Sequence, residues 1–220
     1  MSTIYSKNNY DRTAWFYERA ANMYSGGKIL ASKRWQLRDV GAGDKLLFVG
    51  AGSGEDVILA VQLGAQVTVV ELSPKMLVSI ERKLVDQGLL SSVELICGDA
   101  FDYRETEQFD LVAANYFLFT PPRMVEMLRH LSTLLKVGGK LMIADFAPIR
   151  GNLFQRFLQG AYYYSAITAF HLIAKNPLHH IYDYTRHIEK NGLALACQKS
   201  FKVLPLQSSW YRSLELTKLS

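Results

Sequence analysis

The stretch Lys45-Leu46-Leu47-Phe48-Val49-Gly50-Ala51-Gly52-Ser53-Gly54-Glu55-Asp56 decides the fold. Four consecutive apolar residues, Leu46 to Val49, suit a strand buried on both faces, as in a parallel sheet. The strand runs into three glycines at alternate positions, then into Val57-Ile58-Leu59-Ala60-Val61, an apolar run that a helix can carry. A strand, a tight glycine turn and a helix start together bring bare backbone against a ligand. A dinucleotide fingerprint places its third glycine three positions after the second, whereas Gly54 follows Gly52 by two. That spacing disfavours a pyrophosphate cradle and favours a ligand with a small polar tail.

Downstream, the helix is expected to end near Leu63, with Gly64 past its C-terminus. Val67-Thr68-Val69-Val70 reads as a second strand, delivering Glu71 to its end. Glu71 lies 21 positions after Gly50, close to the ~20-residue offset at which an acid meets ribose hydroxyls in doubly wound sheets. An ionised carboxylate there can accept from both hydroxyls, a stronger bond than a neutral pair makes. Ser73 as N-cap and Pro74 at the first helical position open a helix running to about Gln87, stopped by Gly88. Val93 to Cys97 forms strand three, leading to Gly98-Asp99-Ala100-Phe101. Phe109 to Ala114 forms strand four, leading to Asn115-Tyr116-Phe117. Pro121-Pro122 starts a helix that carries Val125, Leu128, Leu131 and Leu135 at helical spacing. Lys136 and Gly138-Gly139 are expected to end that helix, and Lys140 to Ala144 to form strand five, closed by Asp145. Four strand ends thus bear polar groups at one rim, where open parallel sheets bind ligands.

These residues resemble the motifs of class I S-adenosylmethionine-dependent methyltransferases over about residues 8–146. The carriers are Gly50-Ala51-Gly52-Ser53-Gly54, Glu71, the Ser73-Pro74-Lys75-Met76-Leu77 segment, Asp99-Ala100, and Leu135-Lys136-Val137-Gly138-Gly139-Lys140-Leu141. Tyr10-Asp11, Tyr17-Glu18 and Met23-Tyr24-Ser25-Gly26-Gly27 resemble the entry segment of the quinone C-methyltransferases and phospholipid N-methyltransferases. The resemblance implies a Rossmann-like α/β fold. It would have seven mostly parallel strands with helices on both faces, and the last strand antiparallel. The implied cofactor is S-adenosylmethionine. Gly50, Ala51 and Gly52 would wrap its methionine end, and Glu71 its ribose. Leu72 and Met76 would wall the adenine, with Asp99 and the Ala100 amide reading the ring edge. Asn115 would face the transferring methyl and Tyr24 would close the pocket. Tyr10, Tyr116 and Tyr163 are the candidate acceptor contacts. No catalytic base and no metal ligand is assigned. Family members carry an acid two places before the first glycine, where this chain has Phe48. Glu55 either takes over that acid's work or simply favours the positive helix end.

At 220 residues the chain fits one domain. The expected parts are a helical cap (1–43), a cofactor-binding core (44–146), a helical lid (147–180) and a closing helix and strands (181–220). Cys97 and Cys197 have no metal or disulfide spacing, and residues 1–11 lack a signal-peptide pattern; both suit the cytoplasm. The net charge of +5 is uneven: residues 1–45 carry 8 basic and 4 acidic side chains, residues 175–220 carry 7 and 3, and the middle carries 10 and 13. The basic ends fit an anionic substrate, an anionic membrane surface, or ordinary solvated surface. No basic run with interleaved aromatics favours nucleic acid, and no partner protein is evident. Residues 157–174 hold no formal charge. Gln159, three tyrosines, Ser165, Thr168 and His171 argue against a membrane span and for insert helices roofing an acceptor pocket, with peripheral bilayer contact as a further reading. Gly26-Gly27 splits residues 9–38 into two helices, Tyr182 to Lys190 reads as a helix, and Leu193–Val203 and Trp210–Leu216 as closing strands. The expected reaction is methyl transfer to a small, aromatic or lipophilic acceptor. The alternatives are a cofactor-binding protein without transfer and a nicotinamide-dependent oxidoreductase.

Overall fold

The computed structural model describes residues 23–118, 124–149, 151–174, 187–202 and 211–219. Seven strands form one sheet: β1 (Lys45–Val49), β2 (Gln66–Glu71), β3 (Val93–Cys97), β4 (Phe109–Ala113), β5 (Leu135–Phe146), β6 (Leu193–Phe201) and β7 (Tyr211–Lys218). Their order is β3-β2-β1-β4-β5-β7-β6. Every pair from β3 to β5 is parallel, and β7 runs antiparallel between β5 and β6. From β1 the chain proceeds outward to β2 and β3, then returns to place β4 on the other flank of β1. The crevice at a reversal of this kind lies outside the carboxyl ends of the strands, here those of β1 and β4.

Five helices accompany the sheet among the described residues: α1 (Lys28–Gln36), α2 (Glu55–Gln62), α3 (Pro74–Asp86), α4 (Met124–Leu134) and α5 (Leu153–Ala174). Side chains alternate across β1. Leu46 and Phe48 join Val57 and Ala60 of α2 and Ile80 and Leu84 of α3 in one apolar cluster. Leu47 and Val49 join Met127, Leu128, Leu131 and Leu134 of α4, with Leu214 and Leu216 of β7, in the other. Each fully buried leucine in these layers contributes about 1.5–3 kcal/mol of apolar burial.

Most boundaries follow the sequence. Ser73 caps α3, its hydroxyl accepting from the Met76 amide at 3.2 Å, with Pro74 in the first turn. Gly26 and Gly27 adopt left-handed φ values of 55° and 76° before α1; the helix expected ahead of them lies largely outside the described residues.

Two expectations are corrected. Strand β5 begins at Leu135, directly after α4, and not at Lys140. Leu135 pairs with Phe109, and the register shifts before Leu111 pairs with Lys140. Gly138 and Gly139 therefore sit in an irregularity within the strand instead of stopping a helix. A Cβ on Gly139 would lie 2.9 Å from the Lys136 carbonyl oxygen. Second, residues 153–174 form one 22-residue helix, where several insert helices were expected. No helix among the described residues is long and apolar enough to cross a membrane. The expected start of α4 at Pro121-Pro122, and most of the helix expected over 182–190, lie outside the described residues. Glu189–Asn191 forms a 3-10 turn that ends at Gly192, φ 70°.

Gly54 is where fold and turn meet most tightly. Its φ is +75°, and a Cβ there would lie 2.7 Å from Ile80 Cγ1 in the core. Replacing it with alanine adds a steric clash to left-handed strain. Gly54→Ala is expected to lower unfolding free energy by about 1–3 kcal/mol, read from equilibrium urea unfolding. An unchanged midpoint would show that the turn is not held as described.

Candidate cofactor site

The glycine turn links β1 to α2, and all three of its glycines have positive φ: Gly50 65°, Gly52 58° and Gly54 75°. Its shape is fixed from both neighbours. The Gly50 amide donates to the Val70 carbonyl of β2 at 2.9 Å, and a Cβ on Gly50 would lie 2.6 Å from the Phe117 ring. Glu71, at the end of β2, braces the turn directly. Its carboxylate accepts from the Gly52 amide at 3.1 Å and from the Ser73 amide at 2.9 Å. Glu71 is 6% exposed. Burial raises its pKa, and the bonds from Ser73 and Gly52 offset only part of that rise. A carboxylate accepting one bond on each oxygen keeps lone pairs for two further donors.

Asp99 stands at the next strand end. Glu71 pairs in register with Cys97, and the Gly98 amide donates to the Glu71 carbonyl at 3.1 Å. Half-buried Asp99 caps a 3-10 turn over Ala100–Asp102, accepting from the Phe101 amide at 2.9 Å. Ala100 is buried, and its carbonyl lies 2.9 Å from His130 Nε2 of α4. Burial holds the His130 pKa below its usual value. Leu72 is 40% exposed and Met76 only 2%. Leu72 thus presents the open apolar surface beside Glu71, while Met76 belongs to the packed interior. Gly50, Ala51, Gly52, Glu71, Leu72, Asp99 and Ala100 all occupy the carboxyl edge of β1–β2–β3.

At the end of β4, Asn115 turns inward. Its Nδ2 donates to Asp56 at 3.0 Å and its Oδ1 accepts from the Ala144 amide at 2.9 Å. Tyr116 follows with φ 53°, rare for a non-glycine residue, its amide donating to the Ala144 carbonyl at 2.7 Å. Its hydroxyl lies 2.9 Å from Ser32 Oγ of α1, and its ring meets Phe146 and Tyr211 edge-on. Tyr163 of α5 is buried with its ring edge against Phe146 at 5.0 Å. Tyr24 is drawn to α5: it stacks on Tyr162 at 4.3 Å and its hydroxyl bonds to the Tyr162 carbonyl and to Ser165. Tyr162 in turn reaches Tyr211 at 2.7 Å. Burial pushes the phenols of Tyr162, Tyr163 and Tyr211 far above their usual range, so they stay neutral. Tyr10 lies outside the described residues.

The two acids after the turn face different partners. Glu55 pairs with Lys83 of α3 at 2.6 Å, and Lys83 also donates to the Ser53 carbonyl at 2.9 Å. Glu55 thus braces the outside of the turn. Asp56, 1% exposed, faces inward against Lys33 at 3.4 Å and Asn115. Phe48 is buried in the apolar cluster over α2 and α3. Sequence reasoning passed over Asp56, Lys33 and His130. The signal available for Asp56 was its place beside Val57 at the start of an apolar helix. No group of three His, Cys, Asp or Glu side chains is set to hold a metal among the described residues, and both cysteines are free and exposed.

Comparison with known proteins agrees with this fold. Residues 46–139 match the model of a methyltransferase domain. The chain is 29% identical over 171 residues to methyltransferase GfsG of Streptomyces halstedii, covering 77% of this chain and 59% of that protein. It is 30% identical over 142 residues to a demethylmenaquinone methyltransferase of Lactobacillus johnsonii, covering 62% and 58%. The chain therefore spans less than two thirds of the length of these relatives. A crystallised S-adenosylmethionine-dependent methyltransferase from Mesorhizobium loti shares the fold, with a TM-score of 0.65 at 18% identity, covering 86% of this chain and 96% of that one.

The raised pKa of Glu71 has a readable consequence. Hydroxyl donors favour the ionised carboxylate, so S-adenosylhomocysteine affinity is expected to rise with pH through the raised Glu71 pKa, above 4.5, with proton release on binding. In the ligand-free protein the folded state keeps this proton longer than the unfolded chain. The stability Glu71 contributes is therefore lost as pH rises through the same window. Calorimetry in buffers of different ionisation enthalpy reads the proton. Glu71→Gln should abolish this pH dependence and weaken binding about 10–100-fold; a variant that retains wild-type affinity would remove Glu71 from the site.

Proposed function

We propose, from the methyltransferase-domain match over residues 46–139 together with the motifs at the strand ends, that this chain is a class I S-adenosylmethionine-dependent methyltransferase and that it methylates a small, aromatic or lipophilic acceptor. The observation that supports the acceptor class is a cluster of uncharged rings that begins at Phe117, against the glycine turn, and continues through Tyr116. Phe117 lies over Gly50, followed by Tyr116, Phe146, Tyr211 and, from α5, Tyr162 and Tyr163. Ring faces and edges of this kind receive aromatic acceptors in offset or edge-on geometry.

S-adenosylmethionine supplies an activated methyl on a sulfonium. In this reading Gly50, Ala51 and Gly52 approach its amino-acid end through bare backbone, Glu71 accepts from the ribose hydroxyls, and Asp99 and the Ala100 amide take the adenine edge. Leu72 offers the purine an apolar surface. The chain's remaining task is positional, since aligning the nucleophile and excluding water supplies much of the rate in such transfers. Buried Tyr163 and Tyr211 exclude water. Tyrosine faces stabilise a nearby cation by about 0.5–2 kcal/mol. Tyr24, tied to α5 by stacking and hydrogen bonds, couples the entry segment to the lid. The demethylmenaquinone methyltransferase resemblance supports a ring-bearing acceptor in the same direction.

The test is transfer of isotopic methyl from S-adenosylmethionine into fractionated cell extract. The expected label enters the organic-soluble fraction and co-migrates with ring-bearing compounds. Label confined to protein, nucleic acid or water-soluble amines would overturn the acceptor class. Binding of S-adenosylhomocysteine with no label transferred to any fraction would favour a cofactor-binding protein instead. Thermal protection by NAD but not by S-adenosylmethionine would favour an oxidoreductase.

A further inference from the structure

We propose that the outer face of α5 docks on the surface of an anionic lipid bilayer, with Leu153, Phe154 and Phe157 entering the headgroup boundary. Leu153 is 83% exposed, Phe154 68% and Phe157 70%, and Tyr164 further along the helix is 51% exposed. The opposite side of α5 is held to the end of β5. Buried Gln159 donates to the Ala147 carbonyl at 3.1 Å, and buried Tyr163 packs its ring edge against Phe146. Four residues separate Gln159 from Tyr163, so the two share one helix face. Leu153, Phe157, Ala161, Tyr164 and Thr168 recur at spacings of three or four and are all exposed, which places them on the other face.

That outer face has the composition of a covered surface. A helix that is apolar on both sides belongs in a core or against lipid, and clustered exposed apolar side chains mark an interaction site. Charge selects the bilayer as the occupant. From residue 147 to residue 182 the sequence holds Arg150, Arg156 and Lys175 and no aspartate or glutamate. Arg156 is exposed, and in the chain it lies between Phe154 and Phe157. Anionic headgroups attract cations set beside apolar anchors in this way. In a symmetric dimer built on the same face, the patch would meet itself, bringing Arg156 toward its own copy with no acid of the helix to pair it. No helix among the described residues is long and apolar enough to cross a membrane, so the contact lies in the interfacial plane. The helix can then stay seated on β5 while its other side meets lipid. Docking of this kind is independent of the methyl-transfer reading.

Co-sedimentation of the full chain with lipid vesicles tests the docking. Phosphatidylcholine vesicles containing about a quarter phosphatidylglycerol are compared with phosphatidylcholine alone. The wild type should partition onto the anionic vesicles, and less so at about 1 M salt, where surface charge is screened. The Phe154→Ser/Phe157→Ser double variant should lower that partitioning about 10-fold or more, and Arg156→Glu should lower it on the anionic vesicles only. All three side chains are exposed, so both variants should keep the wild-type melting temperature, and a loss of partitioning then reads the surface and not the fold. No partitioning of the wild type onto anionic vesicles, or partitioning that the double serine variant leaves intact, overturns the proposal. A wild-type dimer in sedimentation velocity that the double serine variant dissolves would assign the face to a second copy and overturn it as well. A wild type that binds anionic vesicles but no S-adenosylhomocysteine would refute the methyltransferase reading and leave the docking standing.

Discussion

The bond from the Gly52 amide to the Glu71 carboxylate is the constraint on which the site depends. It joins the turn after β1 to the end of β2, and it exists only because the two strands are parallel neighbours in register from Lys45↔Gln66 to Val49↔Val70. The second Glu71 oxygen takes the Ser73 amide, so the same side chain also fixes the entry to α3. A buried carboxylate with two backbone donors is held in one orientation, at a cost in burial that raises its pKa. The fold bears that cost at a strand end where a ligand can use the remaining lone pairs.

Much of this arrangement was legible in the chain. A run of four apolar residues before spaced glycines, and a second β-branched run ending in an acid, determine a parallel pair with polar groups on one edge. Ser73-Pro74 signals a helix start by local chemistry alone, and the structure has that cap. What was not legible depended on contacts between distant residues. The glycines at 138 and 139 have the composition of a helix stop, yet the pairing of Leu135 with Phe109 absorbs them into β5. Glu55 and Asp56 are adjacent acids at a helix start, and nothing local says which will turn inward. Helix geometry and the position of Lys83 send Glu55 outward, while Asn115 and Lys33 receive Asp56.

The aromatic side of the site follows a different logic. Tyr116 holds a left-handed backbone that most side chains avoid, fixed by the Ala144 carbonyl and by Ser32. Strain of this sort costs about 1–3 kcal/mol and persists where surrounding structure over-determines it. Its ring then joins Phe146 and Tyr211, while Tyr24 and Tyr162 tie the segment before α1 to α5. The segment before α1, the sheet end and α5 are thereby linked through rings and neutral hydroxyls. The exposed Leu153, Phe154 and Phe157 occupy the first turns of α5 on its outer side, away from this packing.

The central claim is that Glu71 and Asp99, on neighbouring strand ends, face one crevice with the glycine turn. A crystal structure with S-adenosylhomocysteine tests it most directly. The account predicts both ribose hydroxyls within about 2.6–3.0 Å of the Glu71 carboxylate, with the adenine against Leu72 and its amino group toward Asp99. Ligand bound elsewhere, or a ribose turned away from Glu71, would contradict it.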